Sequence, residues 1–144
     1  MQLTKTTLLG ITLWISLVFG LVSAPHTAAA EPAARVVVVV NRAEWCSVCK
    51  TNGPRVASLL MKASRDGGIA MLVNDVTDEQ TAKKSRIALK AAGLDNAVGP
   101  ASATGVLYLF DAKTRRPLHQ VTVANTDREI EMTIELAKKE ATAP

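Results

Sequence analysis

The sequence predicts an α/β domain with elements in the order β-α-β-α-β-β-α, and three observations carry that prediction. Five consecutive valines, Val36 to Val40, make an apolar run of strand length. Two capping sequences further on mark helix starts. Short apolar runs alternate with helix-period segments over the whole stretch between them. The 144 residues fit one ordinary domain. A hydrophobic content of 48% excludes a disordered chain, and two cysteines exclude a disulfide-dense miniprotein.

Each element has its own warrant. Arg35 to Val40 is a strand whose five valines are β-branched and apolar on both faces, as a central buried strand should be. Ser47 to about Arg65 has helical character, with Val48, Val56, Leu59, Leu60 and Ala63 available for a core face; Pro54 inside it should kink it. Gly67-Gly68 stops that helix, and Ile69 to Val73 is a second strand. Thr77-Asp78-Glu79-Gln80 reads as a capping box whose helix runs to about Ala92, where Gly93 can take the left-handed closing position. Val106 to Phe110 is a third strand, Asp111 to Arg116 a turn, and Leu118 to Val123 a fourth strand. Thr126 to Glu129 is another capping box, and Ile130, Ile134 and Ala137 follow at helical spacing.

The start of the chain reads as an address. In residues 1–30, Lys5 is the only charged side chain, Leu8 to Val22 is an apolar run, and Ala28-Ala29-Ala30 offers a cleavage site ahead of Glu31-Pro32. The expectation is a signal peptide over 1–30, a linker over 31–34, one domain over 35–140 and a tail over 141–144. The other reading is an uncleaved membrane anchor, since Leu8 to Ala24 sits at the lower limit for spanning a hydrocarbon core of about 30 Å. No cysteine lies near the leader, which excludes a lipid-modified N-terminus. Either way the domain is exported, periplasmic or secreted, to a compartment where disulfides persist. The whole chain holds 17 Lys+Arg and 13 Asp+Glu with 3% aromatics. That gives no basic stripe and little stacking surface, so no nucleic-acid partner is expected.

The chemistry sits at Trp45-Cys46-Ser47-Val48-Cys49-Lys50, between the first strand and the first helix. A cysteine at a helix start has its thiolate stabilised by free N–H groups and the positive end of the dipole. A second cysteine three residues on lies on the same face, close enough to close a disulfide. The first sulfur is then expected to be exposed and nucleophilic, and the second to act from beneath and release any mixed disulfide.

These residues resemble a known family. Ala43-Glu44-Trp45-Cys46-x-x-Cys49-Lys50 looks like the active-site segment of thioredoxins, and Pro54 matches that family's helix-kinking proline. Val106 to Phe110 resembles its third core strand, followed by a hairpin and a closing helix. The resemblance covers about Arg35 to Lys139. It implies a minimal thioredoxin-like fold, a three-layer α/β/α sandwich with a four-stranded mixed sheet, lacking the extra N-terminal strand and helix. Three departures stand out. Val40 occupies the place of a buried Asp that accepts a proton from the second thiol, and Asn41 and Arg42 stand where two aromatics are usual. Thr104-Gly105 replaces the family's cis-proline, which faces the disulfide and presents its backbone to a bound peptide.

The resemblance implies a periplasmic thiol–disulfide oxidoreductase exchanging disulfides with proteins. Cys46 would attack and Cys49 resolve. Trp45, Thr104 and Gly105 would shape the docking surface, Ser47 and Val48 tune the pair, and Lys50 lend positive charge. Its partners would be protein dithiols or disulfides and an unidentified recycling protein, with membrane contact only if the leader is retained, and a monomer is expected. No cofactor is implied, because the Cys46–Cys49 disulfide itself carries the electrons. The bland readings weigh less. An inert staple closing about four residues contributes only about 2 kcal/mol, against about 4 for a fifty-residue loop. His119, expected on a strand surface, is the sole histidine beyond the leader, so one chain cannot build a four-coordinate zinc site from Cys and His. Met61 and Met71 read as core side chains rather than copper ligands. The alternative function is a non-catalytic module in which two chains share a metal or iron–sulfur cluster through Cys46 and Cys49, loss of the proline ring at Gly105 opening space beside the sulfurs.

Overall fold

The computed structural model describes residues 34–99 and 102–142. The leader, most of the linker, Pro100 and the last two residues of the tail therefore lie outside the described residues. The strands are β1 (Val36–Arg42), β2 (Ile69–Asp75), β3 (Val106–Asp111) and β4 (Pro117–Thr122). The helices are α1 (Ser47–Arg65), α2 (Glu79–Ala91) and α3 (Asp127–Glu140). The sheet order is β2-β1-β3-β4, with β1 and β2 parallel and the other neighbours antiparallel.

The valine run is the central strand, and alternation sends its side chains to two cores. Val36 and Val38 pack with Val56 and Leu60 of α1, Ile130 and Ile134 of α3, and Leu107 and Leu109 of β3. Val37 and Val39 pack on the opposite face with Leu89, Leu94, Val98 and Phe110, under α2. The three layers follow from that split. The core face expected for α1 is present: Val56 and Leu60 are buried, and Val48, Leu59 and Ala63 pack against them.

Two expectations fail. The box opening α2 starts one residue later than Thr77: Asp78 is the N-cap, accepting the Thr81 N–H while the Thr81 hydroxyl accepts the Asp78 N–H. The Thr77 hydroxyl is engaged elsewhere, accepting the Glu44 N–H and donating to Asp75. The second box is as expected, Thr126 with Glu129. Met61 and Met71, expected in the core, are 46% and 37% exposed. Met71 lies on β2, an edge of the sheet, so no further strand covers it there.

Asp111 ends β3 and is fully buried. Its carboxylate accepts the N–H groups of Lys113, Thr114 and Thr142, tying the hairpin and the C-terminal residues to the sheet. Those bonds, Thr114's first and Thr142's next, hold its carboxyl well below the usual range. A lowered folded value contributes stability above the ordinary carboxylate value of 3.8, and that contribution is lost as pH falls toward the folded value. Asp111→Asn should therefore melt earlier than wild type, with the gap widest above about pH 5 and shrinking below it. Thermal melts across pH measure this, and a gap independent of pH would contradict it.

Candidate active site

Arg42 ends β1, and Ala43-Glu44-Trp45 turns the chain into α1. The turn is pinned to the loop before α2. Glu44 donates its N–H to the Thr77 hydroxyl at 2.9 Å, and the Trp45 indole donates to the Thr77 carbonyl at 3.2 Å. Trp45 is 63% exposed, directly before Cys46.

Cys46 is the N-cap of α1 in extended conformation, and its Sγ accepts the Cys49 N–H at 3.3 Å. Sulfur thus takes the role usually filled by a Ser or Asp oxygen. The same N–H stabilises negative charge on that sulfur once the pair is reduced. Cys46 and Cys49 form a disulfide, with Cα atoms 5.3 Å apart. Ser47 and Lys50 are exposed on the first turn, and Pro54 lies within α1, also exposed.

The exposures of the two cysteines differ from the expectation. Cys46 is the buried residue, at 6% exposure, while Cys49 is half-buried. The reason lies in the loop before β3. Gly105 adopts φ +77°, and a Cβ built on it would lie 3.6 Å from the Cys46 sulfur. The backbone therefore closes directly over Cys46. The same Cβ would lie 2.6 Å from Val48 Cγ1, so Val48 fills the space that loss of the proline ring was expected to open. Gly105 is held on both sides: its N–H donates to the Asn41 carbonyl at 2.7 Å, and its carbonyl accepts the Val123 N–H at 2.8 Å.

Two grooves lie nearby, and Cys49 lines the first of them. One, of about 600 Å³, runs beneath α1 and is walled by Cys49, Val40, Pro54, Met71, Val73 and Val123. Val40 brings no proton acceptor to Cys49 there. The other, of about 560 Å³, lies on the α2 side; Trp45 and Thr104 form its rim, and Asp78, Glu79, Asp95 and Arg86 its charged walls. The structure thus gathers Trp45, Cys46, Val48, Cys49, Thr104 and Gly105 into one site, and leaves Ser47, Lys50 and Pro54 on its border. Among the described residues, no group of three or more His, Cys, Asp or Glu is arranged to hold a metal ion. His119, half-buried on β4, pairs with Glu140.

The sequence reasoning missed several supports. Arg55 fastens α1 to the loop after β4, donating to the Val123 and Asn125 carbonyls at 2.8 and 2.9 Å and pairing with Asp127. Thr77 anchors the turn before Cys46. Asn41 and Asn74 are buried polar residues, each following an apolar run one residue before its strand ends, and that placement of two amides is a signal legible in the sequence.

A central β1 flanked by parallel β2 and antiparallel β3, with α1 and α3 on one face and α2 on the other, decides the architecture. The fold is thioredoxin-like. No family model matches the chain, and no curated protein matches its sequence. Solved structures resemble it at low identity. A thioredoxin of Malassezia sympodialis (Mala s 13) is 18% identical, aligned over 75% of this chain and 81% of its own, with a TM-score of 0.48. The protein Trxlp of Edwardsiella tarda is 13% identical over 72% of this chain and 85% of its own, with a TM-score of 0.46. Fasciola hepatica thioredoxin is 18% identical over 72% and 81%, with a TM-score of 0.44. A Cys-x-x-Cys disulfide capping the first helix of this thioredoxin-like fold supports a thiol–disulfide oxidoreductase in general.

Proposed function

We propose that this thioredoxin-like chain is an exported protein-disulfide oxidoreductase in which Cys46 attacks and Cys49 resolves. The observation that carries the reading is the N-cap position of Cys46, whose sulfur already accepts the Cys49 N–H. In the reducing direction, the Cys46 thiolate attacks one sulfur of a client disulfide. That S–S bond breaks, a client thiolate leaves, and a Cys46–client mixed disulfide forms. The Cys49 thiolate then attacks the Cys46 sulfur. The second client thiolate leaves, the Cys46–Cys49 disulfide closes, and two electrons have passed to the client. A dithiol protein of the same compartment would reduce the pair again, and the reverse sequence oxidises a client.

Trp45 and the backbone of Thr104-Gly105 border the sulfurs, where an extended client segment would lie. Lys50 adds positive charge near the resolving thiol. Export rests on the leader, and N-terminal sequencing of the exported protein should read from Glu31.

The direction of electron flow is an equilibrium property. Titrating the Cys46–Cys49 pair against glutathione measures it, each tenfold change in the constant corresponding to about 30 mV. A pair in reversible exchange with glutathione, in a protein that reduces or oxidises a model protein disulfide, is the expected result. A pair inert to glutathione and to model substrates would overturn the proposal in favour of a structural staple.

A further inference from the structure

We infer that Asn41, with Asn74 behind it, is the positioning residue that holds the Thr104–Gly105 loop against Cys46. The inference deepens the oxidoreductase reading and rests on it for its catalytic consequence.

Asn41 is a polar residue ending a run of valines, and it is 1% exposed. Burying an amide is costly unless its donors and acceptor are all engaged, and here they are. Its Nδ2 donates to the carbonyls of Ser102 at 3.0 Å and Ala103 at 2.9 Å. Its Oδ1 accepts from Nδ2 of Asn74 at 2.7 Å, and Asn74 is its registered neighbour on β2. Its backbone carbonyl accepts the Gly105 N–H at 2.7 Å. One residue therefore grips three positions of the loop that closes over Cys46, and the neighbouring strand fixes that residue's own orientation. The Tyr108 hydroxyl adds one longer contact, 3.4 Å to the Ala103 carbonyl.

Glycine brings no ring and no side chain to stiffen this segment. The stiffness comes from the Asn41 grip, which sets how far the loop stands from the sulfur. Two things depend on that distance: how easily a reagent reaches Cys46, and how much order a client must impose on docking.

The test uses the reduced full-length protein with Asn41→Ser and, as a milder variant, Asn74→Ala. Asn41→Ser is too short to bridge to both carbonyls. It should make Cys46 react several-fold faster with iodoacetamide, followed by peptide mapping. It should also raise KM for a disulfide-bonded model peptide by about tenfold, with a smaller change in kcat. Asn74→Ala should move both readouts the same way by less. Unchanged alkylation and unchanged KM, in variants shown by circular dichroism to be folded at the assay temperature, would overturn the inference even if melting temperatures fell. Should Asn41→Ser fail to fold, the Asn74→Ala pair of readouts decides by the same criterion. A wild type that turns over no disulfide would overturn the oxidoreductase reading instead, and the alkylation comparison would still decide where the loop is held.

Discussion

Replacing Cys49 by Ser should convert the protein from a turnover catalyst into a trap. With Cys46 intact, its thiolate still attacks a client disulfide, but the resolving thiol is gone and the mixed disulfide persists. Replacing Cys46 by Ser should abolish attack and trapping alike. Each substitution should reduce turnover of a model protein disulfide at least about a thousandfold, because the residues act as one unit. The asymmetry is the sharper readout. In the reduced wild type, Cys46 should be alkylated by a small reagent faster than Cys49, since its sulfur receives the helical N–H. The structure sets one geometric cost against this, because Cys46 is the more buried of the two residues. The prediction says that thiolate stabilisation outweighs that cover. Non-reducing electrophoresis of each variant from cells checks the trapping. Adducts formed on Cys46→Ser, and none on Cys49→Ser, would reverse the assignment of the two thiols.

Gly105→Pro should be the most damaging single change to the fold outside the core. Proline fixes φ near −65°, whereas this residue sits at +77°. It also removes the N–H that bonds the Asn41 carbonyl. The conformational conflict alone costs about 3 kcal/mol, and the lost hydrogen bond about 1 more. For a domain of this size that lowers the melting temperature by roughly 15 °C or more. Restoring the residue that thioredoxins use would thus injure a loop built around glycine. Gly105→Ala isolates the causes. Its methyl group meets Val48 at 2.6 Å and also suffers the positive φ, which costs about 1–2 kcal/mol. Adding Val48→Ala to Gly105→Ala should recover the steric share and leave the conformational share. A double-mutant cycle of melting curves separates the two, and strictly additive effects would show that Val48 does not press on this site.

Much of the fold was legible because its signals are local. A valine run, two glycine stops and a threonine–glutamate box each act within a few residues, and each holds in the structure. The boundary of α2 was misread because Thr77 and Asp78 are both good caps, and the choice between them depends on a partner more than thirty residues away. Thr77 is claimed by Glu44, which leaves the cap to Asp78. The site shows the same division. Cys46, Cys49 and Trp45 are consecutive enough to be read as a motif. The burial of Cys46 depends on how Gly105 and Val48 meet, and that packing joins segments far apart in the chain. Met71 reads as a core side chain in the sequence; that it lies on the sheet's edge strand is a property of topology.

The position of β1 at the centre of the sheet also bears on how the chain reaches its folded state. Its antiparallel partner β3 begins about sixty residues further along. Until that segment has been made and brought back, an uncharged window of five valines and Asn41 has one side unpaired. Such a window is a strong seed for intermolecular cross-β stacking. The sequence places an arginine at each end of it, Arg35 and Arg42. In the finished fold these two do modest work, Arg35 donating to the Ala141 carbonyl and Arg42 pairing with Asp75. Before the fold is complete, two like charges bracketing the valines repel a second copy aligning in register, so these two arginines guard the strand before they take up their partners in the fold.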